Sequence, residues 1–115
     1  MQTFKELIVW QKSMQLVIKI YDLTKKLPAQ ETYGLSMQMR RAAVSIPSNV
    51  AEGFRRFHNK EYRQFLRISL SSCAELETQI LIAESVNYIS TEDISESLRL
   101  LDHIGRMLTK LIKSI

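Results

Sequence analysis

Two histidines, one cysteine and a run of arginines are the side chains with most chemistry to offer in this sequence. A Ser-His or Cys-His enzyme needs a base that can reach its nucleophile. His58 falls in a predicted turn, His103 on the last predicted helix, and Cys73 on an apolar seam, where it reads as core. Glu75 and Glu77 do not form the Glu-x-x-His pair that a di-metal bundle requires. No other metal-ligand spacing and no Gly-rich phosphate loop occurs. The sequence therefore predicts a protein that is not an enzyme and uses no cofactor or metal. What remains is charge. Residues 40–67 hold Arg40, Arg41, Arg55, Arg56, Lys60, Arg63 and Arg67 against Glu52 and Glu61, a local excess of five positive charges in a chain of net charge +4. Such a patch favours polyanions. Arg40, Arg41, Arg55, Arg56, Lys60 and Arg63 are the candidate contacts to RNA or DNA. The alternative is a solvated face, with Arg41 paired to a carboxylate such as Glu52 or Glu75 between helices or between subunits.

The elements that must position these residues are helices. The first is predicted from about Glu6 to Leu27, with Thr3 and Glu6 as a capping box. Leu7, Trp10, Met14, Val17 and Tyr21 form a heptad seam, and Leu16, Ile20, Leu23 and Leu27 an adjoining one. This apolar arc is wider than one core requires. The helix either packs between two neighbours or spends its surplus face on another subunit. Leu27-Pro28 ends it, and residues 28–32 read as a loop.

The second helix is predicted from near Thr32 to near Arg56. Leu35, Met39, Ala42, Ala43, Ile46, Val50, Gly53 and Phe57 share its core face. Gln38, Arg41, Ser45, Glu52 and Arg56, with Asn49 at the inner edge, form a polar ridge beside it. Pro47 lies mid-helix, removing one N–H and clashing with the Ala43 carbonyl. Ser45, Ser48 or Asn49 are placed to satisfy polar groups around it. Phe57-His58-Asn59 is the next turn, with Asn59 as the N-cap of a third helix running from about Lys60 to Val86. Ser90 or Thr91 caps the fourth. Ile94, Leu98, Leu101, Gly105, Leu108, Ile112 and Ile115 form its seam. Four amphipathic helices with short loops predict an all-α, antiparallel, up-down-up-down four-helix bundle occupying residues 1–115 as one domain.

Composition agrees. The 115 residues are 45% hydrophobic and 24% charged, values ordinary for a soluble globular protein. No apolar run approaches the roughly 18 residues of a membrane span. No secretion signal is visible, and a lone cysteine suits a reducing compartment. The expectation is a cytoplasmic protein without a membrane partner.

Arg40 to Arg56, read as RRAAVSIPSNVAEGFRR, closely resembles the signature of the 23S ribosomal RNA intervening-sequence proteins, also called four helix bundle proteins. Leu7–Lys12 with Tyr21–Thr24, and Ala74–Thr78, agree with it as well. Where that family usually carries a small Ala and a Gly-Ser pair, this chain has Ser69 and Ser71-Ser72. The family is similar to the accessory protein of diversity-generating retroelements, a basic pentamer that works with a reverse transcriptase and nucleic acid. The resemblance thus implies a homo-oligomer, most simply a pentamer, with RNA or DNA as a partner. It implies no established activity.

Two functions follow as expectations. One is a non-enzymatic oligomer that contacts nucleic acid through its basic surface. The other is a scaffold or assembly protein with no nucleic-acid role, supported by the wide apolar arc of the first helix. Tyr62 and Phe65 read as core, so no base-stacking surface is expected, and contact with nucleic acid would be backbone-led.

Overall fold

The computed structural model describes residues 2–115. Its helices are α1 (Ile8–Thr24), α2 (Leu35–Arg55), α3 (Asn59–Ser85) and α4 (Thr91–Ser114), with short 3-10 turns at Phe4–Glu6 and Ala29–Glu31. Each helix packs against its sequence neighbour, and α4 closes the ring against α1. The result is the expected antiparallel, all-α four-helix bundle, 43 Å along its longest axis. That length matches α3, whose 27 residues rise about 1.5 Å each.

The core takes one stripe from each helix. Leu16 and Ile20 of α1 meet Met39, Ile46 and Val50 of α2, Leu66, Leu76 and Ile80 of α3, and Ile94, Ile104 and Leu108 of α4. In α1 the buried stripe is the second of the two predicted seams. Of the first seam, Leu7 is buried but Met14 and Tyr21 are 40% and 41% exposed. Three-point-six periodicity places one stripe at the bundle axis, and the neighbouring stripe then falls at its edge.

The ends of the elements differ from expectation in physically clear ways. Thr3 caps the 3-10 turn, its hydroxyl accepting from the Lys5 amide rather than forming a capping box with Glu6. α1 begins only after that turn. At the next junction, Ala29–Glu31 winds into a 3-10 turn instead of a loop, and Gly34 precedes α2. Asn59 is the first residue of α3 rather than its cap; His58 occupies the cap position and makes no side-chain bond there. Ser90 caps α4 in a full capping box with Asp93.

Phe57 is the largest departure from periodicity. The periodicity of α2 puts it on the core face and the Phe57-His58-Asn59 turn takes it off; the turn prevails, and Phe57 is 86% exposed. The last helical residue is Arg55, two before it, and its backbone turns left-handed at φ 57°. Leaving the helical path there swings the ring out of the core.

α2 continues through Pro47, which is buried. Side chains bond the carbonyls beside it, though among the described residues none of these bonds reaches the Ala43 carbonyl, the one that Pro47 deprives of its donor. Ser48 donates to the Val44 carbonyl at 2.8 Å. Asn49 donates to the Ser45 carbonyl at 2.8 Å and to the Ser45 hydroxyl at 2.9 Å. From α3, Ser69 donates to the Ile46 carbonyl at 2.9 Å, and Ser72 bonds the Ser45 hydroxyl at 2.8 Å. Ser69 and Ser72 are both buried where α3 meets α2.

Candidate nucleic-acid interface

Four cross-helix contacts set the heights of all charged groups. Gly53 lies against Tyr62 and Phe65; a Cβ added to it would stand 2.7 Å from the Phe65 Cβ. Arg63 donates to the main-chain oxygen of Ile115. Phe4 lies under Arg55. At the opposite end, Lys26 reaches Asp93. The α2–α3 turn, the start of α1 and the end of α4 therefore share one end of the bundle.

Dividing the helices at mid-height separates the charges. The half containing the α2–α3 turn holds Lys5 and Lys12, Arg55 and Arg56, Lys60, Arg63 and Arg67, and Arg106, Lys110 and Lys113, against Glu6, Glu52 and Glu61. That is an excess of seven positive charges. The other half holds six cations and nine carboxylates, an excess of three negative charges.

Of the six candidate residues, the structure brings Arg55, Arg56, Lys60 and Arg63 together at the basic end. It sets Arg40 and Arg41 apart, in the other half. Arg40 donates to the Thr24 hydroxyl at 2.8 Å and lies 4.5 Å from the centre of the Tyr21 ring. Arg41 is exposed beside Tyr33 and Met37. Among the described residues it forms no ion pair with Glu52 or Glu75 within the subunit. The sequence reading missed Lys110, Lys113 and Arg106. Antiparallel topology alone could have found them, because the end of a fourth helix must return to the start of the third.

The basic end leaves its cations available. Among the described residues, Arg106 is its one member in an ion pair, with Asp102. Arg55 lies 5.3 Å from the Phe4 ring centre and Arg56 4.9 Å from that of Phe65. Ring faces attract the guanidinium without neutralising it. The arginines are oriented, charged and exposed, which is what phosphate contact demands.

Burial, with Glu77 nearby, pushes the Cys73 thiol up to about 12. A thiol with so little thiolate is a poor nucleophile. No cluster of three His, Cys, Asp or Glu side chains able to hold a metal occurs among the described residues. Among them no helix is long and apolar enough to cross a membrane. Two open grooves run between α3 and α4, sharing Leu70, Ala74, Thr109 and Lys113; the larger, about 610 Å³, also carries Arg106 and Lys110, and the other Arg67. The larger groove also carries Glu77 and Asp102, so its cations lie at the basic end and its carboxylates toward mid-height.

Comparison with known proteins adds family and fold. The model of a family described as 23S rRNA-intervening sequence protein matches residues 5–110. No curated protein matches the chain. Among solved structures, a protein with unknown function from the S23 ribosomal protein family of Bacteroides thetaiotaomicron is similar, at 25% identity and a TM-score of 0.85, over 92% of this chain and 99% of that one.

Proposed function

The chain belongs to the 23S rRNA-intervening sequence protein family, and from that premise we propose that it is a non-enzymatic oligomer, a pentamer in the simplest case, that contacts RNA or DNA through its basic end. The observation that carries this reading is the excess of seven positive charges in one half of the bundle, with only Arg106 of its cations in an ion pair among the described residues. Phosphate contacts of this kind supply affinity without sequence information. In an oligomer each subunit contributes the same patch, so weak contacts add through avidity.

A second reading, a scaffold acting through protein interfaces alone, also has a specific observation behind it. Met14, Ile18 and Tyr21 of α1 and Met37 and Val44 of α2 are all at least 40% exposed, and Tyr33 between them is 86% exposed. Tyr, Met and Arg are enriched at interfaces. This face is where self-assembly is expected, and it leaves the basic end free.

The two readings separate by salt and by charge reversal. Labelled RNA and DNA should bind the parent at low salt and release as salt rises, because counterion release drives the contact. Arg55→Glu with Arg56→Glu should keep the helical signal and the oligomer mass while affinity falls at least about tenfold. A parent that retains neither RNA nor DNA at low salt would leave the scaffold reading standing alone.

A further inference from the structure

Phe57 stands at the tip of the basic end. It is 86% exposed, and among the described residues no aromatic pair or cation contact engages it. Its neighbours in sequence are Arg55, Arg56, His58 and Lys60. Its backbone is left-handed, φ 57°. That conformation ends helices well when the residue is Gly or Asn. It is an outlier for a bulky side chain.

The same bundle supplies the comparison. α3 also ends in a left-handed residue, Asn87 at φ 65°. There the chain uses a type suited to the geometry. At the basic end it uses Phe, which neither suits the backbone nor enters the core. Packing does not account for the ring, because it contributes nothing to the buried cluster. An exposed aromatic surrounded by cations is the arrangement that holds unpaired bases: the cations track the phosphates, and the ring offers a face on which any base can stack.

We propose that Phe57 is a base-stacking residue and that the ligand class of the basic end is single-stranded nucleic acid. This rests on the nucleic-acid reading above and narrows it. A duplex keeps its bases stacked on one another and has no free face for the ring. A single strand offers one at every nucleotide. The ring is carried by the turn between α2 and α3, whereas insertion into a lipid surface relies on a broad apolar helix face.

The test uses the whole chain and three lengths-matched probes: a labelled single strand of RNA, a labelled single strand of DNA, and a DNA duplex. The parent should bind the single strands more tightly than the duplex. Phe57→Leu keeps an apolar side chain but removes the aromatic face, and should lose about tenfold in single-strand affinity, within the range that loss of one stacked base spans. Phe57→Trp should retain the affinity. Both should leave the steepness of the salt dependence unchanged, since no phosphate contact is lost. Phe57→Gly gives the decisive pair of readouts. It relieves the left-handed residue, so the melting temperature should hold or rise while single-strand binding falls.

Phe57→Leu and Phe57→Gly that bind single strands as the parent does would overturn this inference. If Arg55→Glu with Arg56→Glu still abolished binding, the broader nucleic-acid reading would survive it. A parent that binds no nucleic acid removes both. Phe57-dependent capture of anionic vesicles without single-strand binding would overturn the assignment in favour of a membrane surface.

Discussion

In the half of the bundle that holds the α1–α2 and α3–α4 connections, Lys19 reaches Glu96 at 3.1 Å, Lys25 reaches Asp22 at 3.5 Å and Lys26 reaches Asp93 at 2.7 Å. Tyr88 donates to Glu31 there, and Thr91 to Glu84. In the half that holds the α2–α3 turn, ten cations face three carboxylates and only Arg106 is in an ion pair among the described residues. That second half is held instead by close backbone approach at Gly53 and by rings under Arg55 and Arg56. One end ties its cations to carboxylates; the other sets them against ring faces and a main-chain oxygen and leaves their charge largely unneutralised. Surface ion pairs stabilise little, so the contrast concerns function more than stability. Charge left without partners inside the molecule is charge available to a partner outside it.

The largest test of this contrast reverses charge at each end in turn. Lys110→Glu with Lys113→Glu changes the basic end at positions outside the six candidate contacts read from the sequence. Affinity for RNA or DNA at low salt should fall at least about tenfold, as for Arg55 and Arg56. Lys25→Glu with Lys26→Glu alters the other end by the same number of charges and should leave affinity within about twofold. Fluorescence anisotropy across a salt series reads both. Equal losses from the two ends would mean that only net charge matters, and the division of the bundle would lose its functional meaning.

A smaller effect should come from the packing that replaces charge at the basic end. A Cβ at position 53 would lie 2.7 Å from the Phe65 Cβ and 3.0 Å from a Tyr62 ring carbon. Both helices would have to shift. Gly53→Ala should therefore destabilise by about 1–3 kcal/mol despite the better helix propensity of alanine. Gly105, on α4, is the contrasting site: a Cβ there would meet nothing nearer than a Leu70 methyl at 3.9 Å. Gly105→Ala should stabilise by about 0.5–1 kcal/mol. Urea unfolding of the two variants should give shifts of opposite sign. A stabilised Gly53→Ala would show that the α2–α3 contact is looser than the geometry requires.

How much of this was legible in the sequence depends on what set each feature. Helical periodicity places Met39, Ala42, Ala43, Ile46, Val50 and Gly53 on one face, and all six are buried. The place of Pro47 inside α2 is equally readable, and Ser48 and Asn49 do bond backbone carbonyls beside it, but those of Val44 and Ser45 rather than the Ala43 carbonyl. The choice between the two seams of α1 was not readable. Both have the same spacing, and only the bundle axis decides which one enters the core. Phe57 carries two readings that conflict: periodicity continues the core face through it, while the turn Phe57-His58-Asn59 takes it out of the helix, and the structure follows the turn, with α2 ending at Arg55. The candidate interface was half legible. The run from Arg55 to Arg63 is contiguous in sequence, but Lys110 and Lys113 join it only through the fold, and Arg40 and Arg41 leave it for the same reason.

The finest test asks whether the acidic half depends on its paired carboxylates, and acid reads it. The Lys26 ammonium, the Ser90 amide and the Ser90 hydroxyl hold the Asp93 carboxyl down from 3.8 to about 2. Lys19 lowers Glu96, and the Leu35 amide with the Tyr88 hydroxyl lowers Glu31. All three groups lie in the same half. A carboxylate with a lowered folded-state pKa contributes stability that is fully present above its unfolded value and is lost as pH falls through its folded value. For Asp93 that window runs from about 3.8 down to about 2. Thermal melts of the parent should therefore fall through this window, and Asp93→Asn, which cannot titrate, should flatten the fall while lowering the plateau above it. Backbone amides at the start of α4 should lose hydrogen-exchange protection before those flanking the α2–α3 turn, where Gly53 packing carries no proton dependence. If protection fails first around the α2–α3 turn, or if Asp93→Asn follows the parent curve, the acidic half is held by its apolar contacts as well, and the difference between the two ends is one of outward charge alone.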